Sequence, residues 1–479
     1  MQRSSGVLMH ISSLWGEYSE GAFGAEALEW VDRLAAAGFG VWQVLPFCLP
    51  DEYASPYKSY GAFSLNPYFI DLPALAAQGL LTPGELAEAR QHTPYGCEFA
   101  RLARERLPLL ARAASRVRGW SAVEDFLHAH PHNERFCRFM ACRAANGGRP
   151  WNEWQTQEPD REALRVWCFA QYEAARQWQE VRAYANSRGV RVIGDMPIYV
   201  AYDSADVWAN RGLFRLNESG KPEAVAGVPP DYFSAEGQLW GNPLYRWEVM
   251  REDGYGWWRE RMGFLMELFD GVRIDHFRGL ESYYAIPAGE PTAGRGVWEP
   301  GPGNELIRAL RPVCRGRTVI AEDLGDITPA VRRLVRASGF PGMRVLQFAF
   351  LGDRENEHRP HAYPENCVAY TGTHDNNTLL GHVWELEEAQ RRRLLAYFDC
   401  EGKDWDQCCR EILRGMLASH AGLVIFPAQD LLGFGSDTRL NTPGRSEGNW
   451  GWRMTAEQMR AIDCGRFLRW NRMYGRQGG

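Results

Sequence analysis

Residues 271–276 read GVRIDH and residues 318–323 read TVIAED, two short apolar runs that end in acidic residues. Such runs, rich in β-branched residues and bounded by turn residues, are typical of strands buried on both faces of a parallel sheet. Six further runs of this kind occur along the chain. The segments predicted as strands are 6–11, 41–45, 190–195, 271–275, 318–322, 343–348, 367–370 and 423–426.

Helical patterns lie between these strands. Residues 24–37, 328–338 and 385–395 have apolar side chains at helical spacing. The first two segments are followed by Gly38 and Gly339, and glycine is the residue most typical of a helix C-terminus. Eight strands that alternate with helices predict an α/β fold, a (β/α)₈ TIM barrel.

The spacing between the predicted strands is uneven. Residues 48–189, which separate the second and third strands, are too many for a loop and include an Arg- and Ala-rich helical part. We interpret them as an inserted, mainly helical subdomain, and residues 201–266 as a loop-rich insertion after the third strand. No change of composition indicates a linker, so residues 1–479 are predicted to form a single catalytic barrel domain.

Composition narrows the possible functions. The net charge of −6 argues against a nucleic-acid partner, which requires a basic surface. No apolar run is long enough for a membrane span and no secretory signal is visible, so no membrane partner is expected. The eleven cysteines are scattered, a pattern typical of reduced thiols. We therefore expect a cytoplasmic protein. Whether it is a monomer or a homodimer stays open.

Acidic residues follow four of the predicted strands. These are Asp195, Asp275, Glu322 and, beyond a short Thr-Gly-Thr segment, Asp375. Catalytic groups of a barrel come from the C-terminal ends of its strands. One such acid is more often a helix cap or a solvated carboxylate, but four on one rim indicate a functional site.

The alternation of side chains along a strand adds detail. Arg273 and Asp275 point the same way and Ile274 points to the other face, so the first two are expected at the barrel mouth. An arginine there can keep a neighbouring carboxylate ionised, as a nucleophile must be. Carboxylates on separate strands suit retaining glycosyl transfer, in which one attacks the anomeric carbon and another protonates the leaving oxygen. Spacing alone does not assign these two roles.

The ordered motifs of the chain extend this interpretation. They read SGVL at 5–8, WQVLP at 42–46, SPY at 55–57, NPY at 66–68, GDMPIYV at 194–200, WGNP at 240–243, VRIDHFRG at 272–279, AEDLG at 321–325, PGM at 341–343, TGTHDN at 371–376, NTPG at 441–444 and NW at 449–450. Together they closely resemble the 4-α-glucanotransferases called amylomaltase or disproportionating enzyme, glycoside hydrolase family 77 of the α-amylase clan. The resemblance covers nearly the whole chain.

The resemblance implies a function and roles for individual residues. It implies transfer of α-1,4-glucan segments to the 4-hydroxyl of glucose or another glucan through a covalent glycosyl–aspartate. Asp275 is then the nucleophile, Glu322 the acid/base and Asp375 the transition-state stabiliser. The residues expected to bind or organise the sugar are Tyr57, Asp195, Gln238, Trp240, Arg273, His276, His374 and Asn449. The family implies no cofactor and no metal. Maltooligosaccharides, amylose and glycogen-derived dextrins are the expected substrates, in starch, glycogen or maltodextrin metabolism.

Other functions fit part of the pattern. An α-glucan hydrolase could use the same acids, with water as the acceptor. A metal-dependent barrel hydrolase could use the rim acids together with His276 and His374 as ligands, but no His-Glu-x-x-His motif occurs. The histidines at 128, 130 and 132 lie in the helical insertion and are interpreted as a polar turn. A non-enzymatic glucan-binding protein gives no reason for acids at several strand ends.

Overall fold

The computed structural model describes residues 3–230, 236–352 and 356–477. Its twelve strands, in chain order, are β1 (Ser4–Leu8), β2 (Val41–Gln43), β3 (Arg191–Met196), β4 (Ala224–Val228), β5 (Gln238–Pro243), β6 (Gly271–Ile274), β7 (Ser282–Pro287), β8 (Val297–Pro300), β9 (Thr318–Ala321), β10 (Gly342–Val345), β11 (Cys367–Tyr370) and β12 (Leu423–Pro427). Eight of them close a parallel barrel in the order β1-β12-β11-β10-β9-β6-β3-β2. The predicted (β/α)₈ barrel is confirmed.

Eighteen α-helices surround the barrel and fill its insertions within the part of the chain that the structure describes. They are α1 (Ala25–Ala36), α2 (Leu72–Ala77), α3 (Pro83–Glu88), α4 (Phe99–Ser115), α5 (Ser121–Ala129), α6 (Pro131–Ala145), α7 (Arg161–Ser187), α8 (Ala205–Ala209), α9 (Trp247–Glu252), α10 (Gly256–Leu268), α11 (Asn304–Cys314), α12 (Pro329–Ser338), α13 (Leu379–Glu385), α14 (Glu388–Tyr397), α15 (Trp405–Ala418), α16 (Ala428–Leu431), α17 (Ala456–Ala461) and α18 (Cys464–Met473). Among the described residues, no helix is both long and apolar enough to traverse a bilayer.

The eight predicted strands match the barrel strands, with differences at their ends. The first was expected to reach residue 11, but β1 ends at Leu8 and residues 11–13 form a 3₁₀ turn. The sixth was expected to reach residue 348, but β10 ends at Val345 and another 3₁₀ turn follows. Apolar periodicity does not distinguish a strand from a buried turn that continues it, which explains both overextensions.

Two of the three predicted helices have the expected ends. Helix α1 is followed by Gly38 at φ +75°, and α12 begins after Thr328, whose side chain accepts a hydrogen bond from the Val331 N–H. The prediction of one helix over 385–395 was wrong at its start. Glu385 is the last residue of α13, and α14 begins at Glu388 after an extended break at Leu386.

The long segment between β2 and β3 contains α2–α7. The last of these helices belongs to the barrel wall, because Trp178 of α7 is buried and its indole donates to the Leu268 carbonyl just before β6. Arg182 of the same helix pairs with Asp270 at 2.7 Å. The division of the chain into a barrel and two inserted parts stays an interpretation, and α7 places the end of the first insertion before residue 161.

A second sheet lies beside the barrel and has no counterpart among the predicted strands. Its four antiparallel strands run in the order β5-β4-β7-β8. Two come from the predicted loop-rich insertion 201–266, of which residues 231–235 lie outside the described structure. The other two follow β6. This sheet matters for the site, because β5 carries Gln238 and Trp240 and β8 carries Trp298.

The two faces of the barrel strands pack in different environments. Ile193, Ile320 and Val345 belong to an apolar cluster inside the barrel. Val272, Ile274 and Val319 belong to the larger core between the barrel and its helices. The alternation of side chains therefore directs Asp195 and Glu322, two residues beyond Ile193 and Ile320, towards the barrel mouth.

Candidate active site

Arg273 lies at the centre of the barrel mouth and contacts three carboxylates. Its Nη1 donates to Asp195 Oδ2 at 2.5 Å, and its Nη2 donates to Asp275 Oδ1 at 3.0 Å and to Glu322 Oε2 at 2.8 Å. The barrel register explains this meeting, because Arg273 pairs directly with Asp195 on β3 and with Ile320 on β9. Burial opposes the charge of Arg273, but the carboxylates, Asp195 foremost, raise its pKa well above the usual range.

The Asp275 and Glu322 carboxyls are close enough to influence each other's protonation. Burial, and then the neighbouring Glu322 charge, raise the pKa of Asp275 well above its usual range. Burial acts on Glu322 too, but Arg273 and the His276 backbone N–H, which donates to Glu322 Oε2 at 2.7 Å, lower its pKa. Two coupled carboxyls of this kind share one proton. In this arrangement the donors that face Glu322 favour its ionised form, and Asp275 is the carboxyl with the raised pKa.

Asp375 is held by a different kind of contact. It lies on the loop between β11 and α13, where Asn441 Nδ2 donates to its Oδ1 at 2.6 Å and His374 Nε2 lies 3.3 Å from the same oxygen. The Arg439 guanidinium fixes the Asp375 backbone carbonyl at 2.7 Å. Burial opposes ionisation, but the His374 and Asn441 side chains lower the pKa of Asp375 below its ordinary value.

Tyr57 connects the strand-borne acids with this loop. Its hydroxyl donates to Asp195 Oδ2 at 2.8 Å and lies 3.4 Å from His374 Nδ1. Its ring stacks on the His374 imidazole, with the ring centroids 4.8 Å apart. Burial, and then the Asp195 charge, raise the pKa of Tyr57, so its hydroxyl stays protonated and remains a donor.

His276 and Trp240 form the opposite wall. His276 adopts a left-handed backbone conformation with φ 48°, which turns the chain away from the barrel directly after Asp275. The indole of Trp240 meets the His276 ring edge to face, with centroids 4.9 Å apart, and donates to Gln238 Oε1 at 3.1 Å. Burial lowers the pKa of His276 to about 4, so its imidazole is neutral near pH 7.

These groups surround an open cavity of about 520 Å³. Of the residues that the sequence singled out, those that line the cavity are Tyr57, Gln238, Trp240, Asp275, His276, Glu322, His374, Asp375 and Asn449. Asp195 and Arg273 lie beneath its floor, both almost fully buried. Asn449 lines the cavity, but its amide is hydrogen-bonded within its own loop. Its oxygen accepts from the Thr442 N–H, and its nitrogen donates to the Arg445 carbonyl.

The sequence did not single out several residues that line the same cavity. Asn441 was seen only as part of the NTPG motif, although its amide contacts Asp375. Arg278 and Trp298 form a cation–π pair with the guanidinium 3.8 Å from the ring centroid. Trp298 belongs to β8, so only a prediction of the second sheet could have placed it here. The signal for Asn441 in the sequence was its place in the NTPG motif.

The described residues contain no group of three or more histidine, cysteine or acidic side chains arranged to hold a metal ion. The histidines of the 128–132 segment have other contacts. His132 Nε2 lies 3.1 Å from Glu260 and its ring stacks on Phe63, while His130 lies near Glu267. The acids of the barrel mouth are grouped around a guanidinium, whose positive charge occupies the position that a cation would otherwise take.

Known proteins resemble this chain over its full length. A family model described as 4-alpha-glucanotransferase matches residues 9–459. The 4-alpha-glucanotransferase of Synechocystis sp. is 41% identical, covering 99% of this chain and 98% of its own, and that of Streptococcus pneumoniae serotype 4 is 42% identical, covering 96% and 94%. The structure of an amylomaltase from Streptococcus agalactiae in complex with acarbose matches with a TM-score of 0.96 and 34% identity, covering 99% of this chain and 100% of that one. The chain therefore belongs to the 4-alpha-glucanotransferase family and is a transferase.

Proposed function

We propose that this enzyme transfers α-1,4-glucan segments by retaining double displacement, with Asp275 as nucleophile and Glu322 as acid/base. The contact of both carboxylates with one nitrogen, Arg273 Nη2, carries the proposal. Two oxygens that accept hydrogen bonds from the same nitrogen cannot be farther apart than the sum of the two hydrogen-bond lengths. This upper limit suits the separation of about 5–5.5 Å between the carboxyls of a retaining pair and leaves no room for the water that an inverting pair holds.

The balance of the two pKa values must change for these roles. In the arrangement described the pKa of Asp275 is raised and that of Glu322 is lowered, whereas a nucleophile must be ionised and an acid protonated. We propose that Glu322 leaves the His276 N–H and Arg273 when a donor glucan enters and turns towards the glycosidic oxygen. Arg273 then interacts with Asp275 and Asp195 only, which favours ionised Asp275, and Glu322 takes up the proton because it has lost its donors.

In the first half-reaction, Asp275 attacks the anomeric carbon while Glu322 gives its proton to the glycosidic oxygen. The bond to the leaving glucan breaks, and a glycosyl–Asp275 ester forms. Asp375, ionised and exposed to the cavity, is positioned to accept hydrogen bonds from sugar hydroxyls and to stabilise the positive charge of the transition state. His276 lines the same cavity, and its buried Nε2 has no hydrogen-bond partner among the described residues.

In the second half-reaction, Glu322 removes the proton from the 4-hydroxyl of an acceptor sugar, whose oxygen attacks the ester and releases Asp275. The cavity suits glucan chains, because Trp240 and Tyr57 offer aromatic surfaces beside polar groups. The acarbose complex of the S. agalactiae amylomaltase supports the same substrate class. Glucose and other glucans are the proposed acceptors. The eleven free thiols fit a cytoplasmic location.

The product pattern from maltotriose tests this function. Transfer converts maltotriose into glucose and longer maltodextrins without a net increase in reducing ends. An α-glucan hydrolase with the same acids produces a steady increase in reducing ends and no products longer than the substrate. Loss of the longer products in Asp275→Asn links the activity to this site, and accumulation of reducing ends alone would contradict the proposal.

A further inference from the structure

We propose that Asp430 is a positioning residue, which ties together the two ends of the loop that carries His374 and Asp375 and thereby keeps Asp375 in its working position. Asp430 lies on α16, directly after β12, and does not line the catalytic cavity. The inference rests on the proposed function, because it assigns a role towards Asp375 of that mechanism.

The two carboxylate oxygens of Asp430 hold opposite ends of one loop. Oδ2 accepts from the Thr371 hydroxyl at 2.5 Å, and Oδ1 accepts from the Leu379 N–H at 2.8 Å. Thr371 is the first residue after β11, and Leu379 is the first residue of α13. A single side chain therefore fixes both the exit of the loop from the barrel and its entry into the next helix.

The interior of the loop is bonded to itself, so a displacement of its ends reaches Asp375. The Thr373 N–H and hydroxyl both donate to Asn376 Oδ1 at 2.9 Å, and the Asp375 N–H donates to Thr373 Oγ1 at 3.3 Å. The Asn377 carbonyl accepts from Gln347 at 2.6 Å. These contacts make residues 371–379 a compact unit, so a displacement of either end is passed on to Asp375.

Asp430 is an unusual residue to bury at this position. It is 2% exposed, and in the part of the chain that the structure describes no lysine or arginine lies within ion-pair distance. Burial raises its pKa to about 6, and the Leu379 N–H and the Thr371 hydroxyl only partly offset that effect. A buried carboxylate without a cation is costly unless its hydrogen bonds serve a purpose. The two oxygens of Asp430 accept from two donors at opposite ends of one loop, and holding these two ends in place is the purpose that we propose.

The proposal is tested by comparing Asp430→Ala with Asp430→Asn. Asparagine has the same shape: its oxygen can accept from the Leu379 N–H and its amide can donate to the Thr371 hydroxyl. Alanine removes both contacts. Rates are expressed per folded molecule, measured from the amplitude of the cooperative unfolding transition, so that a loss of folded protein does not count as a loss of kcat.

Asp430→Ala is expected to lower kcat about 10- to 100-fold with little change in KM, because small misplacements of a catalytic group cost up to about that factor. The loss should be similar with maltotriose and with the fluoride donor, since Asp375 acts in both. Asp430→Asn is expected to retain kcat within about threefold. A wild-type kcat in Asp430→Ala, or an equal loss in both variants, would overturn the proposal.

A second pair of variants covers the case in which Asp430→Ala does not fold. Thr371→Val removes the hydroxyl and keeps the shape, whereas Thr371→Ser keeps the hydroxyl. The Val variant should show a lower kcat per folded molecule than the Ser variant, and equal values would overturn the proposal. The proposed function fails separately: if the unmodified enzyme makes no transfer products from maltotriose, the function is wrong, whatever the Asp430 variants show.

Discussion

The two halves of the active site are held by different forces. Asp195, Asp275 and Glu322 follow barrel strands and are grouped around the buried guanidinium of Arg273. Asp375 lies on a loop and is held by an amide, an imidazole and its own backbone contacts. The strand side is thus organised by one buried guanidinium that three carboxylates share, and the loop side by contacts from several separate groups. On the loop side the Arg439 guanidinium holds the backbone of Asp375, while the His374 and Asn441 side chains lower its pKa and leave the carboxylate ionised for substrate.

The strand side should show the largest loss on mutation. Asp275→Asn removes the proposed nucleophile but keeps a group that can accept from Arg273. We expect kcat for maltotriose transfer to fall on the order of 10⁴-fold or more, while glucan binding remains detectable by calorimetry.

Asp323→Asn is the matched control for this variant. Asp323 also follows β9, but it pairs with Arg344 and accepts from the Met343 N–H outside the cavity. Its activity should stay close to that of the unmodified enzyme. Near-normal turnover in Asp275→Asn would contradict the assignment of Asp275, on the strand side, as the nucleophile.

Glu322→Gln tests the other carboxyl of the strand side and should have the next largest effect. Without an acid, transfer from maltotriose should fall about 10²- to 10⁴-fold. A maltosyl fluoride needs no protonation of its leaving group, so the first half-reaction should largely recover with that donor, measured as fluoride release. Absence of any recovery would contradict the acid role.

Asn441→Ala tests the loop side, where we expect a smaller loss. The variant removes the 2.6 Å hydrogen bond to Asp375 Oδ1 and leaves every strand-borne carboxylate in place. A hydrogen bond to a charged group contributes about 1.5–3 kcal/mol, which corresponds to about a 10- to 100-fold loss in kcat. Asn366→Ala, on an exposed residue far from the cavity, is the control. A loss as large as that of Asp275→Asn would show that the loop side is not the weaker half.

The pH dependence of stability distinguishes the two halves in a further way. Asp430 lacks the cation that the strand side has, and its pKa of about 6 in the fold is above its ordinary value. The folded state therefore disfavours ionised Asp430, and its contribution to stability is full below about pH 4 and lost as the pH rises through 6. Asparagine does not titrate, so Asp430→Asn does not lose stability in this way as the pH rises. The difference in the free energy of unfolding, variant minus unmodified enzyme, should therefore rise by up to roughly 3 kcal/mol between pH 4 and pH 7.5. A difference that does not change with pH would contradict the effect of burial.

The same contrast explains what the sequence could predict. Barrel strands have a periodic signature, so alternation alone placed Arg273 and Asp275 together at the mouth, and the structure shows their contact. The loop side has no such signature. The contact between Asn441 and Asp375 joins residues 66 positions apart through two irregular segments, and propensities do not specify where such segments meet. The sheet that carries Trp240 and Trp298 was missed as well, since β4 and β5 lie in the segment 201–266, whose clustered Gly and Pro were interpreted as loop-rich.

The protonation of the pair was also beyond the sequence. Arg273 was expected to keep Asp275 ionised, but in the structure burial and the Glu322 charge raise the pKa of Asp275, and Glu322 receives two donors where Asp275 receives one. Only the positions of the donors, and not the order of residues along the chain, determine this balance. The proposed movement of Glu322 is the step that reconciles the structure with the roles implied by the family.

The central claim is the covalent glycosyl–Asp275 ester, and trapping it is the most direct test. Glu322→Gln is mixed with maltosyl fluoride, so that the ester forms quickly and breaks down slowly, and the quenched protein is digested and analysed by mass spectrometry. The account predicts an added maltosyl mass on a peptide that contains Asp275, which persists when an acceptor glucan is added before quenching, because the variant lacks the base that activates the acceptor hydroxyl. A maltosyl group on Asp195 or Asp375, or product formation with no labelled peptide, would contradict it.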